Sequence, residues 1–151
     1  MEEYKEILVP VDGSDLSKNA LAKALSLAEN FGAKVTILHV HEPLDMNILG
    51  VTGEHEFLAD YRKSDPLKNI VGPMMDEYRG IAKEAGKKIK TMIAEGNPAD
   101  EIIKRSKKFD LVIMGTHGRS GLRHLLIGGV AEKVVRHAYC PVLLIREKIM
   151  D

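Results

Sequence analysis

The sequence of 151 residues has a single cysteine, no net charge and no long apolar run. One thiol, Cys140, cannot form an internal disulfide, so the chain is not a small secreted domain stapled by disulfides. Lys and Arg number 22, as do Asp and Glu, and this balance argues against a surface that binds nucleic acid across the whole molecule. A local cationic site remains compatible with it.

Membrane segments and leader segments are also not evident. No stretch approaches the roughly eighteen consecutive apolar residues that a membrane span requires. The opening residues, MEEYKEILVPVDG, place acidic side chains before a short apolar run, which is unlike a secretory signal peptide. We therefore expect a cytoplasmic protein that binds no membrane, and the length favours a single domain over residues 1–151.

What the chain does contain is a regular alternation of short apolar runs and helical patterns. The runs predict strands over 6–12, 33–41, 88–96, 110–116 and 140–146, and the patterns predict helices over 14–32, 66–87, 97–109 and 129–137. This alternation is typical of the α/β class, in which a parallel sheet is covered by helices on both faces. Residues 42–65 show no sustained period and are predicted to form a long variable loop.

Residues near the helix ends support these boundaries. Either Ser14 or Asp15 can cap the start of the first helix, and Gly32 can end it in a left-handed conformation. Asn97 can cap the third helix, with Pro98 at its first position. In the second helix, Gly72 and the proline after it are a potential kink.

The most unusual stretch, MGTHGRSGLRHLLIGGVAEKVV, occupies residues 114–135 between the fourth strand and the last helix. It contains five glycines: Gly115, Gly118, Gly121, Gly128 and Gly129. Peptide N–H groups exposed by glycine, combined with a helix N-terminus, commonly bind phosphate. Thr116, His117 and Arg119 add polar groups to the same loop. Two glycine pairs exceed what one turn needs, which favours a phosphate site over the alternative of a merely tight loop.

Well-known phosphate-binding and catalytic motifs do not match. No Lys-Ser or Lys-Thr follows the glycines, and the glycine spacing after the fourth strand is not G-x-G-x-x-G. No nucleophile, base and orienting group form a recognisable set, so no catalytic residue is predicted. His39 and His41 lack a third ligand at suitable spacing, so no metal ligand is predicted and each is interpreted as a satisfied or exposed histidine.

A second candidate loop, PVDGS, follows the first strand. Asp12 comes directly after the strand, where it can cap the following turn or face a ligand, and the residues alone favour neither role. In open parallel sheets, ligands bind beyond the carboxyl ends of the strands, where the strand order reverses. If strands one and four are neighbours, both candidate loops border one crevice.

Taken together, these segments resemble the universal stress protein family. Gly115, Gly118 and Gly128 match its ATP-binding signature G-x2-G-x9-G-[ST] in register, and ILVPVDGS, EGNPADEIIK, DLVIMGTHGRSGL and CPVLLIR are similar too. The resemblance implies a five-stranded parallel sheet in the order 3-2-1-4-5. It also implies a small protein of stress response or signalling that binds ATP or another adenine nucleotide and is at most a slow ATPase.

The resemblance further implies a role for each matching residue. Asp12 would meet the ribose or the adenine side, and Val40 would meet adenine through its backbone. The others would line the base pocket (Pro10, Val11), border the nucleoside (Met114, Gly115), form the ribose-phosphate turn (Gly118) or hold phosphates at the helix start (Gly128, Gly129, Val130). Thr116, His117 and Arg119 of the same loop are also predicted to bind the nucleotide. Mg²⁺ or Mn²⁺ would arrive with the phosphates, and a homodimer would form through residues 141–146.

Gly129 departs from the family pattern, which has Ser or Thr there. The missing hydroxyl would donate a hydrogen bond to a charged oxygen, worth about 1.5–3 kcal/mol. Its absence keeps a second hypothesis open, in which the chain binds no nucleotide and acts as a protein-interaction module. The backbone N–H of Gly129 can still donate, and this favours nucleotide binding.

Overall fold

The structure, a computed structural model, describes residues 3–43, 65–118 and 127–147. The loop predicted over 42–65 therefore lies almost wholly outside the described residues. The elements, in chain order, are β1 (Glu6–Pro10), α1 (Asp15–Phe31), β2 (Lys34–His41), a π-helical turn (Leu67–Val71), α2 (Gly72–Glu84), β3 (Lys90–Glu95), α3 (Pro98–Ser106), β4 (Leu111–Gly115), α4 (Gly129–His137) and β5 (Val142–Ile145).

The five strands form one parallel sheet in the order β3-β2-β1-β4-β5, which confirms the fold class and the strand order. Alternate residues of the central strand point to opposite faces. Ile7 and Val9 join a core with α1 and α2, whereas Leu8 joins a second core with α3 and α4. Both faces of β1 are therefore buried, as its unbroken apolar run predicts.

The helix ends agree with the residues that mark them. The Ser14 side chain accepts from the N–H of Ser17 at the start of α1, so Ser14 rather than Asp15 is the cap. Gly32 ends α1 with a φ of 64°, and Asn97 caps α3 by accepting from Asp100. These local interactions explain why the sequence indicates the helix boundaries so directly.

The second helix differs from its prediction in one respect. Its first turn, Leu67–Val71, is π-helical, and the N–H of Gly72 donates to the carbonyl of Leu67 five residues earlier. Pro73 has no N–H to continue an α-helical ladder at this point, and a wider turn accommodates the loss. The predicted irregularity near Gly72 is therefore a π-helical turn.

The buried hydroxyl of Tyr78 joins α2 to the loop between β1 and α1. It accepts from the N–H of Gly13 at 2.8 Å and lies 2.5 Å from the Ser17 hydroxyl oxygen. The Ser17 hydroxyl donates its proton to the carbonyl oxygen of Ser14, so the Tyr78 hydroxyl is the donor in its bond with Ser17. The side chain is fully buried, and burial raises the pKa of Tyr78, while the bonds with Ser17 and Gly13 oppose the rise. This contact holds the loop that follows β1.

Tyr78→Phe tests this contact. We expect the free energy of unfolding to fall by about 1–3 kcal/mol, because a buried donor and a buried acceptor lose their partner. Urea denaturation measures the change. Tyr139→Phe is the matched control, since Tyr139 is 64% exposed and its substitution should change stability little. Equal stability of the two variants would contradict a structural role for the Tyr78 hydroxyl.

Candidate functional site

A cleft of about 430 Å³ lies at the carboxyl ends of β1, β2 and β4, against the N-terminus of α4. It exists because β1 and β4 are neighbours in the sheet and their loops leave at the same edge. The sequence-predicted residues that line it are Pro10, Val11, Asp12, Val40, Met114, Gly115, Thr116, His117, Gly118, Gly128, Gly129 and Val130. The remaining candidate, Arg119, lies outside the described residues.

Three of the loop glycines permit contacts that a side chain would block. A Cβ on Gly115 would lie 2.9 Å from the Cβ of Leu16, so glycine lets the first turn of α1 pack on the end of β4. A Cβ on Gly118 would lie 2.5 Å from Oδ2 of Asp12. These two glycines therefore bring the loop after β4 against the loop after β1.

Gly128 closes the same loop from its far end. Its N–H donates to the Thr116 carbonyl at 2.6 Å, and an added Cβ would lie 3.0 Å from that oxygen. The adjacent glycine differs, because among the described residues no atom lies within 4 Å of a Cβ placed on Gly129. Gly129 thus faces open space, whereas Gly128 is needed for backbone packing.

The first turn of α4 presents peptide donors to the cleft. Its first intrahelical bond runs from the N–H of Glu132 to the carbonyl of Gly128, at 2.9 Å. The N–H groups of Gly129, Val130 and Ala131 precede that bond and lie outside the helical ladder. Gly128, the residue before the helix, supplies no side-chain cap. This end of the cleft therefore has the donors and the helix dipole that favour an anion.

The other end of the cleft is formed where β1 leaves β2. Pro10 and Leu38 are the last paired residues of β1 and β2. Just beyond them, the N–H of Val11 still donates to the carbonyl of Leu38 at 2.9 Å. Alternate residues of a strand direct their peptide groups to the same edge, so the N–H and C=O of Val40 point to the space that β1 has left. Val40 can therefore offer one donor and one acceptor to a planar polar ligand.

Asp12 lies between the two ends of the cleft, and its side chain also forms a hydrogen bond within its own loop. Its Oδ1 accepts from the N–H of Ser14 at 3.0 Å, and its Oδ2 is the atom that Gly118 accommodates. Thr116 is buried, and its Oγ1 lies 3.0 Å from Nδ1 of His117. The local turn role of Asp12 is thus present in the structure, and a ligand role is compatible with its position on the cleft wall.

Several lining residues have no counterpart in the sequence-based set. They are Ser14, Ser17, Leu38, His39, His41, Glu42, Pro98, Ile102 and Ala131. Pro98 and Ile102 belong to α3, which begins just after β3 at the same edge of the sheet. The position of α3 directly after β3 could have predicted these two lining residues, because the loops after parallel strands all emerge at one edge of the sheet.

The described residues hold neither a metal-binding cluster nor a membrane-crossing helix. In residues 3–43, 65–118 and 127–147, no group of three or more His, Cys, Asp or Glu side chains is arranged to hold a metal ion. Within the same ranges, no helix combines the length and apolar character that crossing a membrane requires.

Comparison with known proteins extends this description. The pattern of the universal stress protein family matches residues 3–146. Universal stress protein MJ0531 of Methanocaldococcus jannaschii is 36% identical over 146 residues, covering 95% of this chain and 83% of that protein. Universal stress protein YxiE of Bacillus subtilis is 34% identical over 153 residues, covering 95% of this chain and 99% of that protein. A universal stress protein solved in complex with cAMP superposes with a TM-score of 0.68 at 25% identity, covering 95% of this chain and 98% of that one.

The contrast between two loop glycines can be tested by adding one methyl group. Gly115→Ala should lower the free energy of unfolding by about 1–3 kcal/mol, because the methyl group overlaps Leu16. Gly129→Ala places the same group in open space and should stay within about 0.5 kcal/mol of the wild type. Chemical denaturation compares the two, and a Gly115→Ala variant as stable as the wild type would show that β4 and α1 are not held this closely.

Proposed function

Because the chain belongs to the universal stress protein family, we propose that it binds an adenine nucleotide, ATP above all, in the cleft beside α4. It uses the nucleotide as a signal in the stress response, in the cytoplasm. The observation that carries this proposal is the first turn of α4, whose three leading N–H groups lie outside the helical ladder beside the open space at Gly129.

The phosphate end is suited to a flexible polyanion. Gly129 leaves room for phosphate oxygens to approach the peptide backbone, and the helix dipole adds partial positive charge at the same point. Gly128 and Val130 flank this position in the cleft wall. A Mg²⁺ or Mn²⁺ ion would be held mainly by the phosphates, since these cations keep oxygen ligands and water when bound with nucleotides.

The base end is suited to adenine. Pro10, Val11 and Ile102 supply apolar surface, and Val40 offers its N–H and C=O side by side. Adenine carries a donor at N6 next to ring acceptors, which complements such a pair. The similar protein solved with cAMP contains an adenine nucleotide, and this supports the same ligand class here. Asp12 lies between base and phosphates, where a carboxylate can accept from ribose hydroxyls.

We propose slow hydrolysis at most. The described residues of the cleft include one hydroxyl and imidazole pair, Thr116 with His117. Thr116 is only 7% exposed, and its peptide N–H and C=O are bonded to Ile145 and Gly128. A hydroxyl held in this way is poorly placed to attack a phosphate. Regulated binding therefore fits the cleft better than rapid turnover.

The second candidate function is a protein-interaction module that binds no nucleotide. It is favoured by Gly129, because the family signature has a hydroxyl at this position. The two functions make opposite predictions for a variant in which that hydroxyl is restored. The open space at Gly129 allows the comparison without disturbing the fold.

Calorimetric titration of the wild type and Gly129→Ser with ATP, AMP and Mg²⁺ is the deciding experiment. We expect the wild type to bind ATP, and the variant to bind it about ten- to a hundredfold more tightly, because the new hydroxyl donates to a phosphate oxygen.

Gly129→Ala is the matched control, because it makes the same backbone change without a hydroxyl and should leave the affinity unchanged. If no adenine nucleotide binds the wild type at millimolar concentration, and Gly129→Ser changes nothing, nucleotide binding is refuted and the interaction module is the candidate that stays.

We also propose a homodimer through residues 141–146, because β5 is an edge strand of the sheet. Pro141 and Ile145 use their carbonyls to accept from β4, so the alternate residues Val142 and Leu144 direct their peptide groups away from it. Such outward donors and acceptors favour pairing with the same strand of a second copy.

Leu144→Pro removes one outward N–H without removing a bond to β4. We expect light scattering at micromolar concentration to give a dimer mass for the wild type and a monomer mass for this variant. Leu144→Ala is the control, because it shortens the same side chain but keeps the N–H, and it should remain dimeric. A dimer mass for a folded Leu144→Pro would mean that the contact lies elsewhere.

A further inference from the structure

The hydrogen-bonded ladder between β1 and β2 stops one step earlier than its geometry allows. Val11 donates to the carbonyl of Leu38, and in a regular parallel ladder the carbonyl of Val11 would next accept from the N–H of Val40. That bond is not formed. Among the described residues, the N–H of Val40 therefore has no acceptor on the segment that continues β1.

The His39 side chain takes the place of the missing bond. Its Nδ1 lies 2.9 Å from the carbonyl oxygen of Val11. A carbonyl oxygen can only accept, so Nδ1 carries the proton and the imidazole is the donor. The ring therefore bonds the first carbonyl after β1 and holds the chain at the point where it separates from β2.

We infer that His39 is a positioning residue of the base end of the cleft, which keeps the N–H and C=O of Val40 open as the pair that selects adenine. The inference rests on the proposed function, because it concerns the same cleft. His39 acts through Val11: the imidazole holds that carbonyl in a position where it bonds His39 and not the N–H of Val40, so the N–H stays available to a ligand.

The chemistry of the bases gives this arrangement its selectivity. Adenine has a donor at the exocyclic 6-position, whereas guanine and hypoxanthine have an acceptor oxygen there. The carbonyl of Val40 can accept from the adenine amino group but would face the oxygen of the other two bases. A free N–H beside it completes the match with an adenine ring nitrogen. If Val11 captured that N–H, adenine would lose one of its two bonds.

Two variants separate the hydrogen bond from the shape of the side chain. His39→Asn keeps a donor nitrogen the same number of bonds from Cα as Nδ1, and His39→Leu has a similar branched shape but no donor. We expect His39→Leu to bind AMP about three- to tenfold more weakly and to lose much of its preference for AMP over IMP. His39→Asn should keep both the affinity and the preference.

Calorimetry with AMP, IMP and inorganic tripolyphosphate measures these effects. Tripolyphosphate reports on the phosphate end alone, and its affinity should be the same in all three proteins. A general loss of structure would weaken all three ligands together. An AMP to IMP ratio in His39→Leu equal to that of the wild type would overturn the inference.

A measurement without nucleotide tests whether His39 keeps the N–H of Val40 open, and it does not depend on the proposed function. Amide hydrogen exchange followed by NMR should find the Val40 N–H poorly protected in the wild type and in His39→Asn. In His39→Leu it should exchange at least about tenfold more slowly, because Val11 becomes its acceptor. Unchanged Val40 exchange in His39→Leu would overturn the inference alone, whereas a wild type that binds no adenine nucleotide would overturn the proposed function.

Discussion

The close packing of the two central loops is the constraint on which the rest of the cleft depends. Gly115 lets Leu16 reach the end of β4, and Gly118 lets the following loop pass beside the carboxylate of Asp12. Parallel pairing of β1 with β4 brings both loops to one edge of the sheet. Without these two approaches the helix N-terminus at Gly129 and the end of β1 would not face the same space.

The cleft is formed by peptide groups that the regular structure does not use. The N–H groups at the start of α4 lie outside its helical ladder, and the peptide groups of Val40 lie beyond the end of β1. Peptide groups that the helical and sheet ladders leave out are available to bond a ligand at either end of the cleft. Tyr78 and His39 hold the backbone just after β1, through Gly13 and Val11.

Much of the fold could be predicted because its signals are local. Ser14, Gly32 and Asn97 mark helix ends through bonds to residues a few positions away. The sequence also identified the loops of the cleft, since glycines and a strand-terminal aspartate are conspicuous at those points. It could not separate the purposes of Gly128 and Gly129, because a side chain on Gly128 would meet the backbone of Thr116, whereas one on Gly129 would meet no atom of the described residues within 4 Å.

By itself the sequence determined the class of fold, the order of strands and helices along the chain and the family, because periodicity, capping and motif spacing act over short stretches of chain. Only the tertiary structure decided that Val11 gives its carbonyl to His39 instead of Val40, and that α3 contributes Pro98 and Ile102 to the cleft. These outcomes depend on how strands distant in the chain pair and where they separate, and a hydrogen bond at that point is settled by distances of a few tenths of an ångström.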